Sequence, residues 1–174
     1  MKLIFEDIAK KVDGELFIKD EIVSMGMGVR SPYTVYSITL DYKGIRMTVH
    51  NQVGTTSIGT ITCLLPTNCN IPSFNFETRS NFSTLFFGKK NRFKIECKDE
   101  KIKKFLRNCI EEPVLMKYMK ENQFEPCIFY KSGADTKAII TEYNLLFEEW
   151  PMVIVPVINL NKKIIDYLIL SEKE

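Results

Sequence analysis

RFKIECKDEKIKKFLRNCI, residues 92–110, decides the fold class. Phe93, Ile95 and Cys97 alternate with Arg92, Lys94 and Glu96, the period of a strand with one buried face. Asp99 then stands where its carboxylate can accept from the first free N–H groups of a helix. Ile102, Phe105, Leu106, Cys109 and Ile110 recur at helical spacing, with Lys101, Lys103, Lys104 and Arg107 between them. That pattern predicts a helix with one apolar stripe and a solvated basic face. The stretch marks a border between a β-rich part before it and a helix-rich part after it.

Upstream, Leu3, Ile4, Ile8 and Val12 predict a short first helix, closed by Gly14 as a left-handed C-terminal residue. A strand is expected over 15–19. Residues 20–32 contain Gly26, Gly28 and Pro32 and read as a connection. Residues 33–52 give the clearest hairpin, with a two-residue turn at Lys43-Gly44. This register sets Leu40 against Met47 and Ile38 against Val49 on one face. On the other it sets Asp41 against Arg46, Thr39 against Thr48 and Ser37 against His50. Apolar meets apolar and opposite charges meet, as cross-strand pairs require. Further strands are expected over 58–65, with Ile61, Cys63 and Leu65 on one face, and around Phe74, Phe76 and Thr78.

Downstream, Pro113 suits a first helical turn, and Val114, Leu115, Tyr118 and Met119 predict a second short helix. Residues 127–131 and 136–143 read as another hairpin. Val153, Val157, Leu160, Ile164 and Leu168 have helical spacing, widened by Ile154, Ile158 and Ile165. Pro156 leaves two readings: a kinked helix, or a strand over 152–158 followed by a helix. Together these elements predict an α+β fold in one domain, 1–174. A mostly antiparallel sheet of five to seven strands carries the N-terminal and C-terminal helices, packed together on one face.

Composition bounds the function. The 174 residues are 45% hydrophobic and 26% charged, ordinary for a globular protein. A net charge of +2 produces no strong field for nucleic acid or an anionic membrane. The five cysteines are odd in number and include no C-x-x-C pair, which predicts reduced core thiols, a cytoplasmic setting and no bound metal. The first fourteen residues lack an apolar run of signal-peptide length. Abundant Ile, Lys, Asn and Phe suit an AT-rich bacterial genome.

Chemistry-bearing motifs are sparse. His50 is the only histidine, so any nucleophile–imidazole pair must use it, and the hairpin places Ser37 beside it. Asp41 lies four residues along the same strand from Ser37, about 13 Å away, too far to orient the ring. Cys63 and Cys69 are the nearest approach to zinc-ligand spacing. Cys97, just before a helix and beside Lys98, is the best-placed thiol nucleophile, but its alternation points inward. No phosphate-binding glycine motif is present.

Residues 80–91 form a long connection for a compact domain. It carries Phe82, Leu85, Phe86 and Phe87, with Lys89, Lys90 and Arg92 beside them. An apolar cluster with a basic rim is the composition of a partner-binding surface. The function expected from sequence is therefore a non-catalytic bacterial protein-binding module, of the immunity or inhibitor type that shields another protein. It needs no cofactor. The alternative is a small carboxylate-dependent hydrolase that uses Glu6 and Asp7, or Glu142, Glu148 and Glu149 near Trp150.

Overall fold

The structure, a computed structural model, describes residues 1–26, 29–54, 57–78, 93–121, 124–133 and 136–171. In chain order the elements are α1 (Lys2–Val12), β1 (Glu15–Gly26), β2 (Val29–Tyr42), β3 (Ile45–Gly54), β4 (Ile58–Leu65), β5 (Phe74–Thr78) and β6 (Phe93–Cys97). Then follow α2 (Glu100–Ile110), α3 (Pro113–Glu121), β7 (Cys127–Ser132), β8 (Lys137–Asn144) and α4 (Trp150–Ser171). The fold is α+β, and among the described residues one antiparallel sheet has eight strands where five to seven were expected. Their order is β1-β2-β3-β4-β8-β7-β5-β6.

The border at residues 97–99 is local and does not divide the sheet. The β7–β8 hairpin, late in the chain, inserts between β4 and β5 and supplies two central strands. Hydrophobic period reveals a strand but carries no information on its neighbour, so this insertion was not readable.

The central hairpin has the predicted register, from Ser37↔His50 to Asp41↔Arg46. Lys43 and Gly44 both take positive φ, 56° and 79°, and the Gly44 N–H donates to the Asp41 carboxylate at 3.0 Å. This is the primed turn whose twist matches the flanking strands. Residues 20–32 are not the expected connection. β1 runs on to Gly26 and β2 starts at Val29, so most of that stretch is a second long hairpin. Its Pro32 sits opposite Ile22.

Helix α1 closes differently from the expectation. Asp13, not Gly14, takes the left-handed conformation (φ 56°, ψ 52°), which aspartate tolerates. Gly14 serves close approach instead: a Cβ there would lie 2.7 Å from Ile38 Cγ2. Asp99 caps α2 as read, its Oδ1 accepting from the N–H groups of Lys101 at 2.8 Å and Ile102 at 3.1 Å.

The helices cover one face of the sheet. Phe5 of α1 packs beside Trp150 of α4, ring centroids 5.8 Å apart, and stacks on Tyr36 at 4.2 Å. Phe105 of α2 stacks on Tyr167 of α4 at 3.9 Å. Of the two readings of 152–158, the helix holds: α4 is continuous through Pro156. The proline has no N–H to offer the Met152 carbonyl four residues back, but Met152 lies in the exposed first turn, where water can take that bond. All eight stripe residues from Val153 to Leu168 are buried. Asn161, a polar residue in α4, has no exposed surface. It is satisfied on both sides: its oxygen accepts from Thr141 at 2.9 Å and the Cys63 thiol at 3.7 Å, and its amide donates to the Val157 carbonyl at 2.9 Å.

Candidate functional site

α1 carries apolar residues at 3, 4, 5, 8, 9 and 12, more than one face can bury. Phe5, Ile8, Ala9 and Val12 point into the core, so Leu3 and Ile4 are left outside, 78% and 41% exposed. The helix expected from Leu3, Ile4, Ile8 and Val12 is present, but only Ile8 and Val12 of these four are buried. On the neighbouring element, Trp150 turns inward while Met152 stays 67% exposed. These residues face one another across an open hollow of ≈ 540 Å³ lined by Leu3, Ile4, Pro151 and Met152, with Asp7, Lys11, Glu148 and Glu149 at its margin. Asp7 and Lys11 form an i,i+4 ion pair at 2.7 Å. The hollow thus has an apolar floor and a margin of three acids and one lysine. The surplus of apolar positions in α1 was the signal that could have found it.

The hollow also joins two groups of acids that sequence kept apart, bringing Asp7 beside Glu148 and Glu149. Glu6 lies elsewhere on α1, 3.9 Å from Lys2. Glu142 is on the opposite, open face of the sheet. The nominated residues Phe82, Leu85, Phe86, Phe87, Lys89, Lys90 and Arg92 lie outside the described residues.

The open face holds the remaining reactive side chains in one row that crosses all eight strands: Phe17, Ser37, His50, Thr60, Glu142, Cys127, Glu77 and Lys94. Ser37 Oγ and His50 Nδ1 are 3.1 Å apart, and the ring is solvent-exposed, as the hairpin register required. Glu142, the nearest acid in the row, lies two strands further on, about 10 Å at ordinary strand spacing. A triad would need it in contact with the ring. Cys127 stands between Glu142 and Glu77. Burial raises its thiol pKa, and the carboxylates of Glu77, Glu142 and Glu125 add to the rise. This is the reverse of the electropositive setting a nucleophilic thiol needs.

The other thiols are structural in their surroundings. Burial pushes Cys63 up to about 12 and Cys109 up to about 11. Cys97 packs against the core from β6. No three metal-ligating side chains cluster among the described residues.

A second hollow, ≈ 390 Å³, lies between the end of β2, the start of α3 and α4, and includes Tyr42, Glu112, Lys162, Lys163 and Asp166. Its charges are matched internally. Asp166 accepts from the Tyr42 hydroxyl at 2.9 Å and from Lys43 at 2.5 Å, and Lys163 pairs with Glu112. Lys162 sits 5.1 Å from the Tyr42 ring centroid. The Asp166 contacts fasten the hairpin to α4, and the Lys163–Glu112 pair fastens the start of α3 to it.

No known protein family, characterised protein or solved structure matches this chain. No described helix is long and apolar enough to cross a membrane.

Proposed function

We propose that this chain is a non-catalytic protein-binding module of the immunity or inhibitor type, and that it holds its partner at the hollow between α1 and the start of α4. The supporting observation is the exposure of Leu3, Ile4 and Met152 around one concave, acid-rimmed site. An apolar centre inside a charged margin is the anatomy of a protein interface. Leu3 and Met152, which are mostly exposed, each contribute about 1–2 kcal/mol if a partner buries them fully, and the more covered Ile4 contributes less. The acids at the margin fit a partner with a basic face and favour rapid, salt-sensitive encounter.

Affinity capture from the source organism tests this, with wild type and a Leu3→Lys, Met152→Lys double variant as baits. The captured protein is then purified and titrated against both. Trp150, the only tryptophan, lies beside the hollow and reports binding by its fluorescence. The cluster Phe82, Leu85, Phe86 and Phe87, with Lys89, Lys90 and Arg92, is proposed as a second contact, and Phe86→Ala enters the same assay.

The hydrolase reading keeps one specific support, the meeting of Asp7 with Glu148 and Glu149. An Asp7→Asn, Glu148→Gln variant separates the two. A hydrolase loses turnover of any substrate found, whereas a binding module loses only the salt dependence of association.

A further inference from the structure

Strand β1 is one border of the sheet, and β2 is its only partner among the described residues. Every second N–H and C=O along it therefore points outward, a template for another strand. The strand is 12 residues long and keeps large apolar side chains in water, with Phe17 59%, Ile18 39% and Ile22 67% exposed. Its centre is Lys19-Asp20-Glu21. Charges at such a position normally repel an incoming strand.

We propose that β1 pairs antiparallel with β1 of a second copy of this chain, about a two-fold axis at Asp20. An axis perpendicular to the sheet keeps each face on its own side, so residues equidistant from the axis meet. Centred on Asp20, the open face sets Lys19 against Glu21 and Phe17 against Val23, each twice. The helix-bearing face sets Ile18 against Ile22, also twice. Apolar meets apolar and opposite charges meet. The neighbouring registers fail. An axis at Lys19 brings two lysines together and sets Phe17 against Glu21 and Ile18 against Asp20. An axis at Glu21 brings two glutamates together and sets Lys19 against Val23 and Asp20 against Ile22.

One contact opposes the pairing, the meeting of the two Asp20 carboxylates on the axis. Each accepts from its own Thr34 hydroxyl at 2.8 Å. The charged pair that crosses the interface is already assembled within one chain, where Lys19 lies 2.6 Å from Glu21 and the Tyr33 hydroxyl donates to Glu21. The exposed apolar residues of β1, which its own chain leaves uncovered, are those the second copy covers.

Sedimentation velocity over a concentration series, with circular dichroism to confirm folding, tests the assignment. The wild type should convert from monomer to dimer as concentration rises. Ile22→Lys should stay monomeric. Lys19→Glu should weaken the dimer, and the exchange Lys19→Glu with Glu21→Lys should restore it. Asp20→Asn, which removes the axial repulsion and keeps the Thr34 acceptor, should tighten the dimer about two- to fivefold. A wild type that stays monomeric up to about millimolar concentration would overturn the proposal. So would a dimer indifferent to Ile22→Lys, a charge exchange that fails to rescue, or an Asp20→Asn dimer weaker than wild type.

Discussion

The ring of Tyr143 on β8 lies directly over Gly59 on β4, so close that a Cβ on the glycine would sit 2.2 Å from Tyr143 Cε2. The two are cross-strand partners, and the Tyr143 hydroxyl reaches on to β3, donating to Asn51 Oδ1 at 3.0 Å. The absent side chain of Gly59 thus lets one phenol tie three adjacent strands where the late hairpin joins the early sheet.

Gly59→Ala is therefore expected to cost at least the 1–3 kcal/mol or so typical of overpacking. The ring cannot move aside without surrendering its bond to Asn51. Urea unfolding of Gly59→Ala, Tyr143→Leu and the double variant checks this. The alanine should cost clearly less once the ring is gone, and an additive double variant would contradict the contact.

Alkaline pH should weaken the fold through its buried thiols. Burial raises the folded-state pKa of Cys63 from 9.0 to about 12 and of Cys109 to about 11. Because the folded values are raised, the stabilisation is fully present below 9.0 and is lost as pH climbs toward 11 and 12. Within that window each thiol that ionises only in the unfolded chain removes about 1.4 kcal/mol per pH unit. Unfolding free energies measured below 9.0 and again near pH 11 should fall less for Cys63→Val than for wild type. That variant still leaves Asn161 its hydrogen bond from Thr141.

Thiol reagent should discriminate among the cysteines of the native protein. Cys63, Cys69 and Cys109 are buried, while Cys97 and Cys127 are partly accessible. Cys127 is further slowed by the carboxylates around it. Mass spectrometry of briefly labelled protein should find Cys97 modified first and Cys63 last. All five should titrate in denaturant.

Removing the polar-face imidazole should matter little. His50 is exposed and bonded only to Ser37 among the described contacts. His50→Gln should change unfolding free energy by less than about 1 kcal/mol, as for an exposed hydrogen bond. Asp99→Ala, by contrast, should cost about 0.5–2 kcal/mol by freeing two N–H groups at the start of α2.

Local chemistry was legible where two signals agreed. The hairpin about Lys43-Gly44 combined turn residues with matching cross-strand pairs, and Asp99 stood directly before an apolar stripe. The placement of β7 and β8 was not legible, because a strand with two buried neighbours looks the same whatever those neighbours are. The length of β1 was hidden by Gly26, Gly28 and Pro32, whose turn chemistry masked the alternation on either side. The hollow was missed because Leu3 and Ile4 fit the helical stripe as well as Phe5 does. Only packing against Tyr36 and Trp150 shows which of them the core takes.

Whether the hollow between α1 and α4 holds a partner is tested most directly by the affinity of the purified, captured partner for wild type and for Leu3→Lys, Met152→Lys. Both replaced side chains are exposed, so the double variant should melt as wild type does, within about 0.5 kcal/mol per site. A single saturable partner is expected, with a dissociation constant that rises at least about tenfold in the variant, equivalent to 1.4 kcal/mol. Equal affinity of the two proteins for that partner, with both fully folded, would contradict it.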